Sequence, residues 1–168
     1  MRPILAVERV ATRVALVLAI LFLSAAAALA LYQVFTRFVL ASPSTWSEAF
    51  VRSTMIWAVF LGVAPAIRDG TMIAIEVVQD ALPRRLGLGL HVTVCLLSVF
   101  FFAVLFWQGW GMTERVLGQT LAGLRISIAW AYAALPVGAA FAIVALVGAM
   151  LRAIAEGARP GAAPETAQ

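Results

Sequence analysis

The sequence predicts an all-α integral membrane protein. It has four transmembrane helices, both termini in the cytoplasm, and a short amphipathic interfacial helix between helices 2 and 3. Three observations predict this. Hydrophobic residues make up 64% of the 168 and charged residues only 12%, a balance outside the range of soluble domains. Four segments are long and apolar enough to cross a bilayer, which takes about 20 residues. The twelve basic residues are all arginine, and most of them lie at or beyond the ends of those segments, where topology signals sit.

The first span runs from Val14 to Thr36, uncharged between Arg13 and Arg37. Arg2, Arg9 and Arg13 before it and Ala28-Leu29-Ala30 within it also fit a signal peptide with a small-residue cleavage site. Apolarity that continues through Leu31, Val34 and Phe35 favours a retained helix. The second span, Trp46 to Ile67, carries only Glu48 and Arg52, both near its start. The third, Leu86 to Thr113, lies between Arg85 and Glu114, and the fourth, Ile126 to Leu151, between Arg125 and Arg152. In lipid every backbone polar group needs an internal partner, and none of the four shows the alternation of a barrel strand, so all are helices. They form one domain over residues 1–155, followed by a flexible cytoplasmic tail over 156–168 rich in Ala, Gly and Pro.

Arginine placement sets the orientation. Arg2, Arg9, Arg13, Arg68, Arg84, Arg85, Arg152 and Arg159 fall on one side of a four-span chain. Arg37, Arg115 and Arg125 fall on the other, with Arg52 just inside the second span. The positive-inside bias then places both termini in the cytoplasm. It also brings Trp46, Trp107, Trp110, Trp130 and Tyr132 near the outer interface, where amphipathic rings sit well. Between spans two and three, residues 71–82 (TMIAIEVVQDAL) place Glu76, Gln79 and Asp80 on one helical face. The segment is too short to span; it reads as a helix lying in the cytoplasmic interface or as a cap over the bundle.

Several chemistries are disfavoured. The arginines form no stripe of the kind that binds nucleic acid. The lone Cys95 allows no disulfide within the chain and no multi-cysteine metal site. The lone His91 excludes a bis-histidine haem within the chain. No nucleophile and base are paired, so no catalytic residue is assigned, and no cofactor or metal is expected. Ser24, Cys95 and Ser98 are the deeper polar residues of the spans, and such groups usually bond their own backbone. That is too little for a substrate path through this chain alone.

What remains points to contact with another protein. Ala58, Gly62 and Ala66 on the second helix, and Ala134, Gly138 and Ala142 on the fourth, recur every four residues. Such strips allow close helix approach in lipid, although a chain this rich in alanine also yields them by chance. Pro136 should kink the fourth span, and Pro65 should disturb the end of the second. Glu48 and Arg52 stand four apart with the acid first, the favourable helical order. Two readings stand: a self-contained pair that lets the helix start in the interface, or groups that bond a larger membrane subunit.

These residues resemble a known family, the small membrane subunit (DctQ type) of tripartite ATP-independent periplasmic transporters, or TRAP transporters. The most specific stretch is Trp46, Glu48 and Arg52, followed by Trp57, Gly62, Arg68 and Gly70. The block with Trp130, Tyr132, Pro136 and Gly138 looks like the last helix of that family. There are departures: Ala49 stands where a second acid is common, Met72 where a histidine is common, and Ile128 in a region that often carries proline. Glu76 keeps the acid that follows Met72 by four.

The resemblance implies a non-catalytic subunit of a sodium-driven uptake system for organic acids in a bacterial inner membrane. A large permease subunit would hold the substrate and sodium sites, and a periplasmic binding protein would dock from outside. Trp46, Glu48, Arg52, Ala58, Gly62, Arg68, Trp130, Tyr132, Pro136 and Gly138 are then candidates for contact with the permease. Arg37, Arg115 and Arg125 are candidates for docking the binding protein, or ordinary headgroup contacts. The competing classes are a membrane anchor of a redox complex and a small homo-oligomeric transporter.

Overall fold

The structure is a computed structural model that describes residues 2–41, 45–69, 84–121 and 126–156. It is all-helical, with α1 Arg2–Phe38, α2 Thr45–Arg68, α3 Arg84–Arg115, α4 Ala129–Tyr132 and α5 Ala134–Glu156. Four stretches are long and apolar enough to cross a membrane: Leu5–Phe38, Trp46–Arg68, Gly89–Arg115 and Ala129–Arg152, the last made of α4 and α5 together. The expected interfacial helix over 71–82 lies outside the described residues, as do Gly70 and Arg125.

Packing is uneven around the bundle. α2 and α5 lie side by side, α1 packs on both, and among the described helices α3 touches only the last span. The buried face of α1 is Glu8, Thr12, Ala15, Ala19 and Ala26. Their spacing of three, four or seven keeps them on one stripe of the helix, and four of them are small enough for close approach. Ala15 shares a buried cluster with Ala64 and Ala145, and Ala19 one with Trp57, Leu61 and Ala134. Shape complementarity between small residues drives such contacts, because lipid tails are as apolar as leucine.

The line of Ala134, Gly138 and Ala142 is buried inside the chain. A Cβ on Gly138 would stand 2.6 Å from Phe60 Cβ and 2.8 Å from the Phe60 carbonyl oxygen. Only glycine lets α5 approach the α2 backbone this closely. The other strip is used differently. Ala58 is buried, Gly62 has open space where a side chain would stand, and Ala66 is exposed.

Pro136 acts where the sequence places a kink. It lies in the first turn of α5, just after the break between α4 and α5 at Ala133. Without an N–H it cannot donate to Tyr132, the last residue of α4. Its ring fits against α3, since a Cβ on Gly109 would meet Pro136 Cδ at 3.1 Å. α2, by contrast, stays helical through Pro65 to Arg68.

At the opposite end of α3 from Arg84, backbone hydrogen bonds tie the residues after the helix to those just before α4. Leu121 N–H donates to Ile126 O at 2.8 Å and Ile128 N–H to Gln119 O at 2.8 Å. The Ser127 hydroxyl donates to Leu117 O at 2.8 Å and accepts from Ala129 N–H at 3.1 Å.

Candidate functional site: two ion-pair clusters at opposite membrane edges

The first cluster is the expected one. At the start of α2, Arg52 Nη2 donates to Glu48 Oε1 at 3.1 Å. Both side chains are exposed, Arg52 at 74% and Glu48 at 62%. The bond is therefore made within one helix, and most of both groups still faces outward. Beside it, Trp46 lies with its ring centroid 6.1 Å from Tyr32 of α1. One turn further, Ser53 and Thr54 are buried, and their hydroxyls donate to Ala49, Phe50 and Val51 carbonyls of their own helix.

The second cluster is absent from the sequence reading. Glu8 on α1 is buried, at 2% side-chain exposure. Arg152 Nη1 on α5 donates to its Oε2 at 2.8 Å. Arg68 Nε at the end of α2 stands 3.8 Å from its Oε1, while Arg68 Nη1 donates to the Arg9 carbonyl at 3.4 Å. The Thr12 hydroxyl donates to the Glu8 carbonyl at 2.7 Å. Gly148 leaves the room: a Cβ there would stand 2.5 Å from Glu8 Cγ. One carboxylate thus holds the ends of three helices. In sequence Arg152 reads as a topology signal, Arg68 as that and as a candidate permease contact, and Glu8 as an unremarked residue of a tail. The available signal was that Glu8 is the only acid among the first 47 residues, and an acid that near a span is expensive unless paired.

The other candidates separate by burial. Trp57 is in the core; its indole N–H donates to Trp130 O at 2.9 Å, and its ring lies 5.4 Å from Phe22 and 5.2 Å from Trp130. That bond fastens α2 to α4 across the bundle. Pro136 and Gly138 are buried, Tyr132 is half-buried, and Trp130 keeps 44% of its surface exposed. Arg37 and Arg115 are exposed on the same edge as Glu48. His91 lies with a ring nitrogen 3.6 Å from Cys95 Sγ. Among the described residues, no three His, Cys, Asp or Glu side chains gather as metal ligands.

The family model described as "Tripartite ATP-independent periplasmic transporters, DctQ component" matches residues 26–156. The chain belongs to this family. Membership makes it a small permease component of a TRAP transporter and a multi-pass membrane protein. A curated relative agrees: the sialic acid TRAP transporter small permease protein SiaQ of Vibrio cholerae serotype O1 is 29% identical over 112 residues. That match takes in 67% of this chain and 65% of the relative's length. The DctQ match contains Arg68 and Arg152 but begins after Glu8. The buried carboxylate therefore ties a segment that precedes the matched region onto two arginines inside it.

Proposed function

We propose that this chain is a non-catalytic brace for the large permease subunit of a TRAP transporter in a bacterial inner membrane. The transporter takes up organic acids with a sodium gradient. Both termini lie in the cytoplasm, so the Glu8 cluster is at the inner edge and Glu48–Arg52 at the periplasmic edge. The orientation rests on the arginine excess of the inner side. The organic-acid class accords with the relative's named sugar, sialic acid, which carries a carboxylate.

One observation carries the bracing role. The buried hydroxyls of Ser53 and Thr54 on α2 are spent on carbonyls of their own helix, while Gly62 on the same helix has nothing within 4 Å of where a side chain would stand. A polar pathway would want the reverse: free polar groups inside and sealed small-residue lines outside. Trp46, Glu48, Arg52, Gly62 and Trp130, on exposed or open faces, are the residues we assign to the permease contact. Arg37, Arg115 and Arg125 are those we assign to the binding protein.

The experiment is reconstitution of uptake in proteoliposomes with the large permease, the binding protein and this chain, each omitted in turn. Sodium-dependent uptake needs all three. Flux from this chain alone would contradict the proposal. A reporter fused to the C-terminus, active only in the periplasm, should stay silent.

A further inference from the structure

The Glu8 cluster is unbalanced. Two guanidinium groups share one carboxylate, and the acid is sealed while the cations are not: Glu8 is 2% exposed, Arg68 25% and Arg152 28%. Their protein partners use only part of their capacity. Arg152 is bonded through Nη1, and Arg68 is engaged through Nε and Nη1. A guanidinium carries five N–H donors. Arg152 Nε and Nη2 and Arg68 Nη2 therefore have no protein acceptor among the described residues. Both arginines close a membrane-spanning stretch, Trp46–Arg68 and Ala129–Arg152, which is the level of lipid headgroups. The same edge carries Arg9, Arg13, Arg68 and Arg152 against Glu8 and Asp69 among the described side chains.

We propose that Arg68 and Arg152, held side by side by Glu8, bind the phosphate of one anionic membrane lipid. Phosphate oxygens suit the paired N–H donors of guanidinium better than the single charge of an ammonium would. Glu8 has two tasks in this site. It fixes both cations against three helices, and it cancels only one of their charges, so an anion is still favoured. A zwitterionic headgroup brings its own cation to an edge already rich in cations and is disfavoured. The site depends on the chain being a membrane protein and not on its role in transport.

The test is native mass spectrometry of the full chain in detergent, titrated with phosphatidylglycerol, phosphatidylcholine or inorganic phosphate. One phosphatidylglycerol should bind saturably, about tenfold tighter than phosphatidylcholine, and millimolar inorganic phosphate should not displace it. Arg152→Gln should weaken phosphatidylglycerol binding about fivefold, as expected for one arginine at a headgroup. Arg13→Gln, on the exposed face of α1, should change it less. Arg152→Gln can also loosen the helix ends, so Glu8→Gln is the second arm. It removes the competing charge and keeps the side-chain shape, and should bind phosphatidylglycerol at least as tightly as the native chain. Equal binding of the two lipids would overturn the proposal. So would displacement by inorganic phosphate, or loss of the preference in Glu8→Gln with its helical content and melting intact.

Discussion

The two ion-pair clusters of this protein lie at opposite ends of α2, about 30 Å apart along its axis. They use the same chemistry for opposite ends. Glu48–Arg52 joins two groups of one helix and leaves both mostly exposed. Glu8–Arg152–Arg68 joins three helices around a carboxylate that is sealed. The exposed pair is worth little to the fold, because solvent screens it and holding two long side chains costs entropy. The buried acid is worth little as a surface, because nothing outside can reach it. What it does is fix geometry: remove one partner and the others keep charges that were placed to be neutralised. On the proposed reading, burial decides which cluster holds the subunit together and which is left to meet another chain.

Substitutions can break or sharpen that contrast. The largest expected effect is Glu8→Ala, which leaves Arg68 and Arg152 facing each other without a counter-charge and opens a void beside Gly148. It should destabilise the purified chain by about 3 kcal/mol, read from denaturation in detergent. Next is Gly138→Ala, where the new methyl group would overlap Phe60 Cβ and its carbonyl oxygen. Overpacking of this kind costs about 2 kcal/mol. Its counterpart, Gly62→Ala, meets nothing within 4 Å and should leave the isolated chain unchanged while weakening co-purification with the permease. A loss of stability equal to that of Gly138→Ala would mean that both strips are spent inside the chain.

Trp57→Phe keeps a ring between Phe22 and Trp130 but loses the bond to Trp130 O. It should cost about 1 kcal/mol, with tryptophan fluorescence reporting the change. The smallest effect on the fold belongs to the double substitution Glu48→Ala, Arg52→Ala, below about 0.5 kcal/mol. Its readout is assembly: the amount of permease retained on the tagged subunit should fall. Undiminished assembly and uptake would leave the pair as nothing more than a helix-start device.

The sequence made the four spans legible because lipid allows so few solutions for a polar backbone. Hydropathy finds the helices, and glycine and alanine spacing finds the strip at Ala134, Gly138 and Ala142. Pro136 marks the α4–α5 break. The same signals do not say which neighbour a strip faces. Ala58, Gly62 and Ala66 have the same spacing as the strip on the last span, yet Gly138 is packed against Phe60 while Gly62 faces open space. Trp57 shows a related limit: its place midway along the second span does not say which neighbour it faces, and only the packing of Phe22 and Trp130 around it reveals a core residue. The Glu8 cluster was hidden for a different reason. Its members are far apart in sequence, with 59 residues between Glu8 and Arg68 and 83 between Arg68 and Arg152. Each arginine alone also satisfies the topology rule. A single acid in an arginine-rich tail becomes meaningful only when the helices bring three ends together.

The claim that burial separates a holding cluster from a contact cluster has a direct test. It is the thermal denaturation of the full chain in one detergent, comparing Glu8→Ala with Glu48→Ala. The account predicts a melting temperature several degrees lower for Glu8→Ala and one within a degree or so of the native chain for Glu48→Ala. Equal shifts, or a larger one for Glu48→Ala, would contradict it.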